Sequence, residues 1–198
     1  MTIREEKQRL RAAVRAEIRE LPEEYFAQAG EAMGGFLQML PDYRAARTVF
    51  CHVSTAREAD TRGFLERALR DGKRVCVPRC VRMGEMELRR IDDLRQLTSG
   101  AYGLLEPPAE APLVSADEAD FSVVPCLCCT LRGERLGKGG GFYDRFLARG
   151  AGTALMLCPA RLIQPFVPME AHDCAVSRVL TENGLYVCGN MVAPARKC

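Results

Sequence analysis

Residues 48–77 read TVFCHVSTAREADTRGFLERALRDGKRVCV, and their order of apolar and polar residues sets the fold class. The apolar run at 48–53 is typical of a buried strand, and a second run at 74–77 stops at Pro78. Between the two runs, apolar residues recur at helical spacing and predict a helix over 61–70. A strand, a helix and a second strand in this order are typical of an α/β protein with a largely parallel sheet.

The same alternation of apolar runs and helical patterns continues on both sides of this segment. We therefore expect one domain over residues 1–198, a Rossmann-like α/β/α sandwich in which a largely parallel sheet carries helices on both faces. Thr2 and Glu5 have capping-box spacing at the start of the first helix, and Pro41 is expected to end the second. Further helices are predicted over 3–20, 23–40 and 142–148, and further strands over 86–91, 120–124, 153–158 and 185–188.

Composition excludes several classes of protein. The chain has 198 residues, 47% of them hydrophobic, and carries 28 Lys and Arg against 26 Asp and Glu, for a formal charge of +2. So small a surplus is no argument for a nucleic-acid or membrane partner. No stretch approaches the roughly 18 apolar residues of a membrane span, and the charged N-terminus does not resemble a signal peptide. We expect a cytoplasmic globular protein, whose oligomeric state stays open with a monomer favoured.

Residues 135–144, RLGKGGGFYD, carry the densest chemical signal of the chain. Glycine fills four of the five positions 137–141, with Lys138 between them, directly before a predicted helix. Glycines let the backbone approach a ligand closely, and backbone amides at a helix start attract anions. Together with the charges of Arg135 and Lys138, this pattern predicts a phosphate site. A flexible turn would require neither charge, and the spacing fits neither a dinucleotide fingerprint nor a Walker loop.

Charged residues elsewhere in the chain are candidates to complete such a site. Lys7 and Arg11 belong to a basic stripe beside the apolar face of the first predicted helix. Glu58 follows the strand at 48–53, where open α/β sheets bind ligands, and helix capping does not explain it. Asp144 and Asp173 could supply the one or two carboxylates that hold hydrated Mg²⁺ against phosphates. Taken singly, each is also typical of a helix first turn or a loop.

The chain has ten cysteines, of which Cys126 and Cys129 have C-x-x-C spacing. A closed zinc site needs two well-spaced pairs, and the mates expected from the sequence are Cys76 and Cys80, which lie in a strand-like segment. A redox pair is not favoured either, because no helix start follows Cys129 to lower a thiol pKa. We therefore expect reduced thiols without zinc, acting mainly as small apolar side chains.

Residues 135–144 resemble the pattern RLG-(R/K)-G-(G/K)-G-Y-Y-D of the 5-formyltetrahydrofolate cyclo-ligase family, also called 5,10-methenyltetrahydrofolate synthetase. Three departures bear on substrate or metal binding: Thr130 replaces an acidic residue, Ser177 an aspartate of many members, and Phe142 a tyrosine. Other segments resemble the family in its order along most of the chain, namely Lys7 with Arg11, residues 53–61, Gly72 and Lys73 before Pro78, residues 102–107, and His172 with Asp173.

The resemblance implies an ATP- and Mg²⁺-dependent ring closure of 5-formyltetrahydrofolate to 5,10-methenyltetrahydrofolate, with release of ADP and phosphate. ATP would first phosphorylate the formyl oxygen, a step that depends on positioning and charge neutralisation. Arg135 and Lys138 are the implied catalytic residues. The implied ligand contacts are Lys7, Arg11, Arg135, Leu136, Gly137, Lys138, Gly139, Gly140, Gly141, Phe142 and Tyr143 for ATP, Val53, Glu58, Tyr102, Lys138 and Phe142 for the folate, and Asp144 and Asp173 for Mg²⁺.

Two other functions stay open. A relative of the family could hold folate or nucleotide but have lost turnover through the changes at Thr130 and Ser177. A phosphotransferase could use the same glycine segment on another small metabolite. Formation of methenyltetrahydrofolate separates the first from the cyclo-ligase, and ATP hydrolysis stimulated by another acceptor would indicate the second.

Overall fold

The computed structural model describes residues 1–194, over which five α-helices alternate with thirteen short strands. None of the helices in this range combines the length and apolar surface that a membrane span needs. The helices are α1 (Ile3–Glu20), α2 (Glu23–Met39), α3 (Pro41–Ala45), α4 (Arg62–Arg70) and α5 (Phe142–Ala148). The strands are β1 (Thr48–Cys51), β2 (Arg74–Arg82), β3 (Glu85–Ile91), β4 (Thr98–Ser99), β5 (Leu105–Glu106), β6 (Leu113–Val114), β7 (Phe121–Pro125), β8 (Cys128–Cys129), β9 (Arg135–Leu136), β10 (Thr153–Leu157), β11 (Arg178–Thr181), β12 (Gly184–Val187) and β13 (Asn190–Pro194).

Nine of these strands form one sheet in the order β13-β12-β11-β10-β7-β1-β2-β3-β6. The five central strands β11, β10, β7, β1 and β2 run parallel to one another. The remaining pairs, β13–β12, β12–β11, β2–β3 and β3–β6, are antiparallel. The predicted α/β sandwich is therefore confirmed, with the parallel part of the sheet at its centre. The sequence does not predict β11 or β13, because each is short and β13 is mostly exposed.

Helices cover both faces of the sheet, because the central strands are apolar on both sides. In β1, Val49 and Cys51 belong to one apolar cluster, and Phe50 between them belongs to another. The helical residues that close these clusters are Leu37, Tyr43 and Phe64 of α2, α3 and α4 on the first face, and Val14 and Phe146 of α1 and α5 on the second.

Two predictions about prolines need correction. The strand predicted to stop at Pro78 continues to Arg82 as β2. Because β1 pairs with β2 only from Arg74 to Cys76, the later part of β2 has only β3 beside it, and a proline nitrogen is tolerated there. Pro41 follows the end of α2 as predicted, but it also begins α3, since the first helical position needs no N–H.

The parallel order of the strands brings three loops to one edge of the sheet. β1, β7 and β10 are neighbours, with Cys51 opposite Val123 and Leu157 opposite Pro125. The segments that follow these three strands therefore start side by side. The candidate site is built at this edge, where open α/β sheets bind ligands.

Candidate active site

The glycine segment 137–141 connects the small β8–β9 hairpin to α5. Gly139 and Gly141 have φ angles of +109° and +68°, which residues with a side chain rarely adopt. A Cβ atom on Gly140 would lie 2.5 Å from the ring of Phe142. The path of the backbone therefore requires these glycines, and the segment has two cationic side chains close by, Lys138 within it and Arg135 just before it.

The basic stripe of α1 lies against this segment. Arg11 donates from Nε to the carbonyl oxygen of Gly137 at 2.9 Å, and Arg15 donates to the carbonyl oxygen of Lys138 at 3.4 Å. Burial is the largest cause of a lowered pKa at Arg11, and the neighbouring Arg15 adds to it. The stripe is therefore part of the site, and it brings further positive charge to the glycine segment.

Lys7, one turn earlier on α1, is only 5% exposed and forms two ion pairs. Its Nζ lies 2.5 Å from Oδ2 of Asp173 and 2.7 Å from Oε2 of Glu170. Burial would lower the pKa of Lys7, but these two carboxylates raise it above its ordinary value. Burial would likewise raise the pKa of Asp173, yet the N–H of Glu170 and the Lys7 ammonium hold it below its usual range. Both groups are charged at neutral pH.

Glu58 and Lys138 form the ion pair at the centre of the site. Lys138 Nζ lies 2.6 Å from Oε1 of Glu58, and Oε2 accepts a hydrogen bond from the N–H of Thr55 at 2.8 Å. Burial acts to raise the pKa of Glu58, but His52 in its protonated form, Lys138 and the Thr55 N–H lower it more strongly. Glu58 is therefore a carboxylate at neutral pH, while the Lys138 side chain stays 54% exposed and can reach a ligand.

A cavity of about 190 Å³ lies beside this ion pair. His52 contributes to its wall and was missed by sequence reasoning, although its place directly after β1 is a signal that could have found it. Burial lowers the pKa of His52, so its ring is neutral at pH 7, with Nδ1 3.3 Å from the Val123 carbonyl oxygen. The lining also includes Glu58, Lys138, Cys126, Leu127, Leu157 and Leu162, with Arg15 and Ile18 from α1.

Arg135 lies beneath the glycine segment and is only 5% exposed. Its guanidinium is paired with Oδ1 of Asp144, and the backbone N–H of Cys174 donates to the same oxygen at 3.2 Å. A Cβ atom on Gly137 would lie 3.1 Å from Nη1 of Arg135, so the guanidinium directly supports the segment. The two predicted metal ligands thus come close together, because Cys174 directly follows Asp173.

The aromatic candidates divide into two groups. The rings of exposed Tyr102 and half-buried Phe142 meet edge to face with centroids 6.3 Å apart, beside the glycine segment. Tyr143 is directed inward, with its ring centroid 6.4 Å from that of Phe50, and burial raises its pKa. Val53 packs against the apolar cluster that α2 and α4 cover.

Cys76 and Cys80, the cysteines expected from the sequence to complete a metal site with Cys126 and Cys129, are the wrong ones. The third thiol near Cys126 and Cys129 is Cys158, at the end of β10, and the three Sγ atoms lie within 4.8 Å of one another. β7 and β10 are direct neighbours, whereas Cys76 is in β2, on the far side of β1. Spacing along the chain cannot show this pairing of strands. Cys198, also expected to be a free thiol, lies outside the described residues.

A sequence model of the 5-formyltetrahydrofolate cyclo-ligase family matches residues 3–182. The chain belongs to this family. The matched range includes the glycine segment, the loop of Glu58 and the basic stripe of α1.

Individual relatives agree with the family match. The chain is 34% identical to a 5-formyltetrahydrofolate cyclo-ligase of Mycolicibacterium smegmatis, over 88% of this chain and 93% of that protein. It is 24% identical to a probable 5-formyltetrahydrofolate cyclo-ligase of Schizosaccharomyces pombe, over 88% and 94% of the two chains. The NMR structure of Aquifex aeolicus 5,10-methenyltetrahydrofolate synthetase superposes with a TM-score of 0.82 at 28% identity, covering 97% of this chain and 95% of that one. These relatives confirm the predicted family, fold and enzyme class, a cyclo-ligase.

Proposed function

We propose that the protein converts 5-formyltetrahydrofolate to 5,10-methenyltetrahydrofolate in an ATP- and Mg²⁺-dependent reaction that releases ADP and phosphate. The observation that carries this proposal is the ion pair of Lys138 with Glu58, 2.6 Å long. It joins the glycine segment, which suits phosphate, to a cavity whose wall offers a carboxylate and a neutral imidazole. A phosphate group and an uncharged heterocycle can therefore be held next to each other.

The nucleotide half of the proposal rests on charge. The triphosphate would bind the backbone of residues 136–141 and the side chains of Lys138 and Arg11, with Lys7, Phe142 and Tyr143 beside it. Transfer of a phosphoryl group requires positioning and neutralisation of charge rather than a covalent nucleophile. Lys138 is the proposed catalytic residue. Arg135, also expected from the sequence to be catalytic, is buried on Asp144 and would act by positioning the glycine segment.

The folate half of the proposal rests on Glu58. Its ionised carboxylate accepts hydrogen bonds from N–H groups, which the pterin ring presents, and Lys138 beside it faces the formyl oxygen. The ring pair of Phe142 and Tyr102 offers an apolar surface for the remainder of the substrate. Val53, half-buried after β1, completes the proposed folate contacts.

The reaction needs an activated formyl carbon. The formyl oxygen attacks the γ-phosphorus of ATP and ADP departs, which turns a poor leaving group into a phosphate ester. Nitrogen 10 then adds to the formyl carbon and gives up its proton, and phosphate leaves with the electrons of the C–O bond. Lys138 offsets the negative charge that grows on the transferred group, and Arg135 holds the loop that cradles it.

The residues of the chain fit a hydrated Mg²⁺. Arg135 engages Oδ1 of Asp144 and Lys7 engages Oδ2 of Asp173, so each carboxylate has another oxygen to offer, that of Asp173 lying 3.8 Å from Nε2 of His172. Magnesium in phosphate sites usually keeps several waters and takes one or two carboxylates. When bound, the ion would supply positive charge to the triphosphate.

One assay tests the proposal. The protein is mixed with Mg-ATP and 5-formyltetrahydrofolate, and the absorbance of methenyltetrahydrofolate is followed. Product formation supports the cyclo-ligase. Binding of both ligands without product would indicate a relative that has lost turnover, and ATP hydrolysis that only another acceptor stimulates would indicate a phosphotransferase. Either result contradicts the proposal.

Three predictions from the sequence stay proposals. We propose that residues 1–198 act as a single cyclo-ligase-like domain. Its partner would be the small-molecule folate, with no nucleic acid or membrane involved. The cytoplasmic location stays a prediction from the sequence.

A further inference from the structure

Three cysteine thiols meet beside the cavity, which one of them, Cys126, lines, although they come from different parts of the fold. Cys126 directly follows β7, Cys129 lies in β8, and Cys158 directly follows β10. Their Sγ atoms all lie within 4.8 Å of one another. The register of the sheet makes this arrangement firm, because Pro125 is paired with Leu157, and Cys126 and Cys158 are the next residues along the two neighbouring parallel strands.

We propose that Cys126, Cys129 and Cys158 form a binding site for a zinc-class thiophilic divalent cation. Thiolate sulfurs are the ligands that such ions prefer, and a Zn–S bond is about 2.3 Å long. Sulfurs on one tetrahedral ion are therefore about 3.8 Å apart by that bond length. The three thiols need to approach by about 1 Å or less to reach this spacing, without any change in strand pairing.

The electrostatic surroundings suit a cluster of thiolates. Arg135 is the cross-strand partner of Cys129 in the β8–β9 hairpin, so both residues are on the same face of the hairpin. Its Nε is buried and has no hydrogen-bond partner among residues 1–194. Three thiolates around a divalent ion carry a net negative charge, which this guanidinium offsets. A cation site of this kind gives a reason for the unpartnered buried nitrogen.

The site would have an open coordination position. Cys129 and Cys158 are fully buried, whereas Cys126 is half-buried and lines the cavity with Glu58 and His52. Catalytic zinc ions typically have three protein ligands and keep a fourth position for water or another molecule. The cavity therefore supplies both the route of entry and the fourth ligand.

This inference replaces the expectation of zinc-free thiols. That expectation depended on Cys76 and Cys80 as mates, and the fold supplies Cys158 instead. It does not depend on the proposed folate chemistry, because neither ATP nor folate takes part in binding the ion.

The test is metal binding to the full chain, expressed without a histidine tag and purified under reductant. Equilibrium dialysis with Zn²⁺ is expected to give one tightly held ion per chain. Co²⁺ is expected to give an intense near-ultraviolet sulfur-to-metal absorption with tetrahedral visible bands. Cys129→Ser should lower Zn²⁺ affinity more than the roughly 10- to 100-fold that loss of an outer hydrogen-bonding partner costs. Cys128→Ser is the matched control, because Cys128 is buried beside Cys129 but is outside the cluster, and it should keep the ion.

Cys126→Ser provides a second variant, because Cys126 is partly exposed at the cavity and its loss should disturb packing least. It too should lose the cobalt absorption while circular dichroism stays unchanged. Several results would overturn the site: no stoichiometric ion in the reduced protein, an octahedral cobalt spectrum, or equal binding by the variants of Cys126 and Cys129 and by the wild type. A disulfide between two of the three thiols that persists under reductant would overturn it as well.

Discussion

Lys138 is the residue at which the glycine segment meets the cavity. Removing its charge should cost about 2–4 kcal/mol in the transition state of phosphoryl transfer. Lys138→Ala is therefore expected to lower kcat roughly 30- to 1000-fold. The melting temperature should change little, because the side chain is 54% exposed and its ion pair contributes little to stability. Steady-state kinetics and thermal unfolding on the same preparation measure both quantities.

The control for this prediction is Arg9→Ala, which removes a basic residue from the exposed face of α1. It should leave kcat unchanged. A double-mutant cycle of Lys138→Ala with Glu58→Gln separates a direct role of Lys138 in the reaction from an indirect role in positioning Glu58. If Lys138→Ala costs nothing further in the Glu58→Gln background, Lys138 only positions Glu58. Arg135→Ala is a poorer test, because Arg135 is buried on Asp144 and its loss should also destabilise the fold.

The lowered pKa of Glu58 predicts how the contribution of the ion pair to stability depends on pH. Its pKa in the folded protein lies below the ordinary value of 4.5. The pair therefore contributes stability above the unfolded-state pKa, and this contribution disappears as the pH falls through the lower folded-state value. Urea unfolding of wild type and Glu58→Gln should differ by up to about 1 kcal/mol at neutral pH, and the difference should disappear as the pH falls through the lowered pKa of Glu58. A difference that grows in acid would contradict the assigned charge. Glu58→Gln should also raise KM for the folate more than it lowers kcat.

At the scale of elements, α2 supports the loop that carries Glu58. The backbone N–H of Asp60 donates to the carbonyl oxygen of Phe26 at 3.4 Å. A Cβ atom on Gly30 would lie 2.6 Å from the carbonyl oxygen of Asp60, so glycine is required for this close approach. Gly30→Ala should cost about 1–3 kcal/mol through overpacking, despite the better helix propensity of alanine. Chemical denaturation measures this loss, and a raised KM for folate should accompany it.

The same helix contains the matched control. A Cβ atom on Gly35 would meet nothing within 4 Å, so Gly35→Ala should stabilise the protein by about 0.5–1 kcal/mol through helix propensity alone. Equal effects of the two substitutions would show that α2 does not constrain the loop.

Helix α1 is the element whose role changes most between sequence and structure. Its stripe of basic residues has the same spacing whether it faces solvent or a ligand. In the fold, Lys7 is buried on two carboxylates and Arg11 donates to Gly137, so the first 20 residues complete a site whose glycine segment is more than 100 residues away.

At the scale of the whole molecule, the proposed metal site combines distant segments. Asp144 lies in the first turn of α5. Asp173 lies between β10 and β11 and is paired with Lys7 of α1. Asp144→Asn and Asp173→Asn should each raise the Mg²⁺ concentration for half-maximal activity about 10- to 100-fold, since a hydrogen-bonded charge contributes about 1.5–3 kcal/mol. KM for the folate should change by less than about threefold. Mg²⁺ titrations at saturating ATP measure this, and an unchanged Mg²⁺ requirement would remove both residues from the site.

The sequence alone determined the elements that depend on local periodicity. The helices α1, α2, α4 and α5 and the strands β1, β2, β7 and β10 follow from apolar residues at helical spacing or in short buried runs. The motif of residues 135–144 also carries its chemistry locally, because glycines and cations that are neighbours in the chain must be neighbours in space. Fold class and family were predictable for this reason, and phosphate binding by the glycine segment stays a prediction.

Only the tertiary structure decided which distant side chains meet. Pro78 stays within β2 because of where the pairing with β1 ends, and Glu58 reaches Lys138 because the fold brings the loop after β1 to the glycine segment. Cys158 joins Cys126 and Cys129 because β7 and β10 are neighbours in the sheet. Strand order is set by the packing of both sheet faces against the helices. This packing is a property of the complete core, and the spacing of residues along the chain does not reveal it.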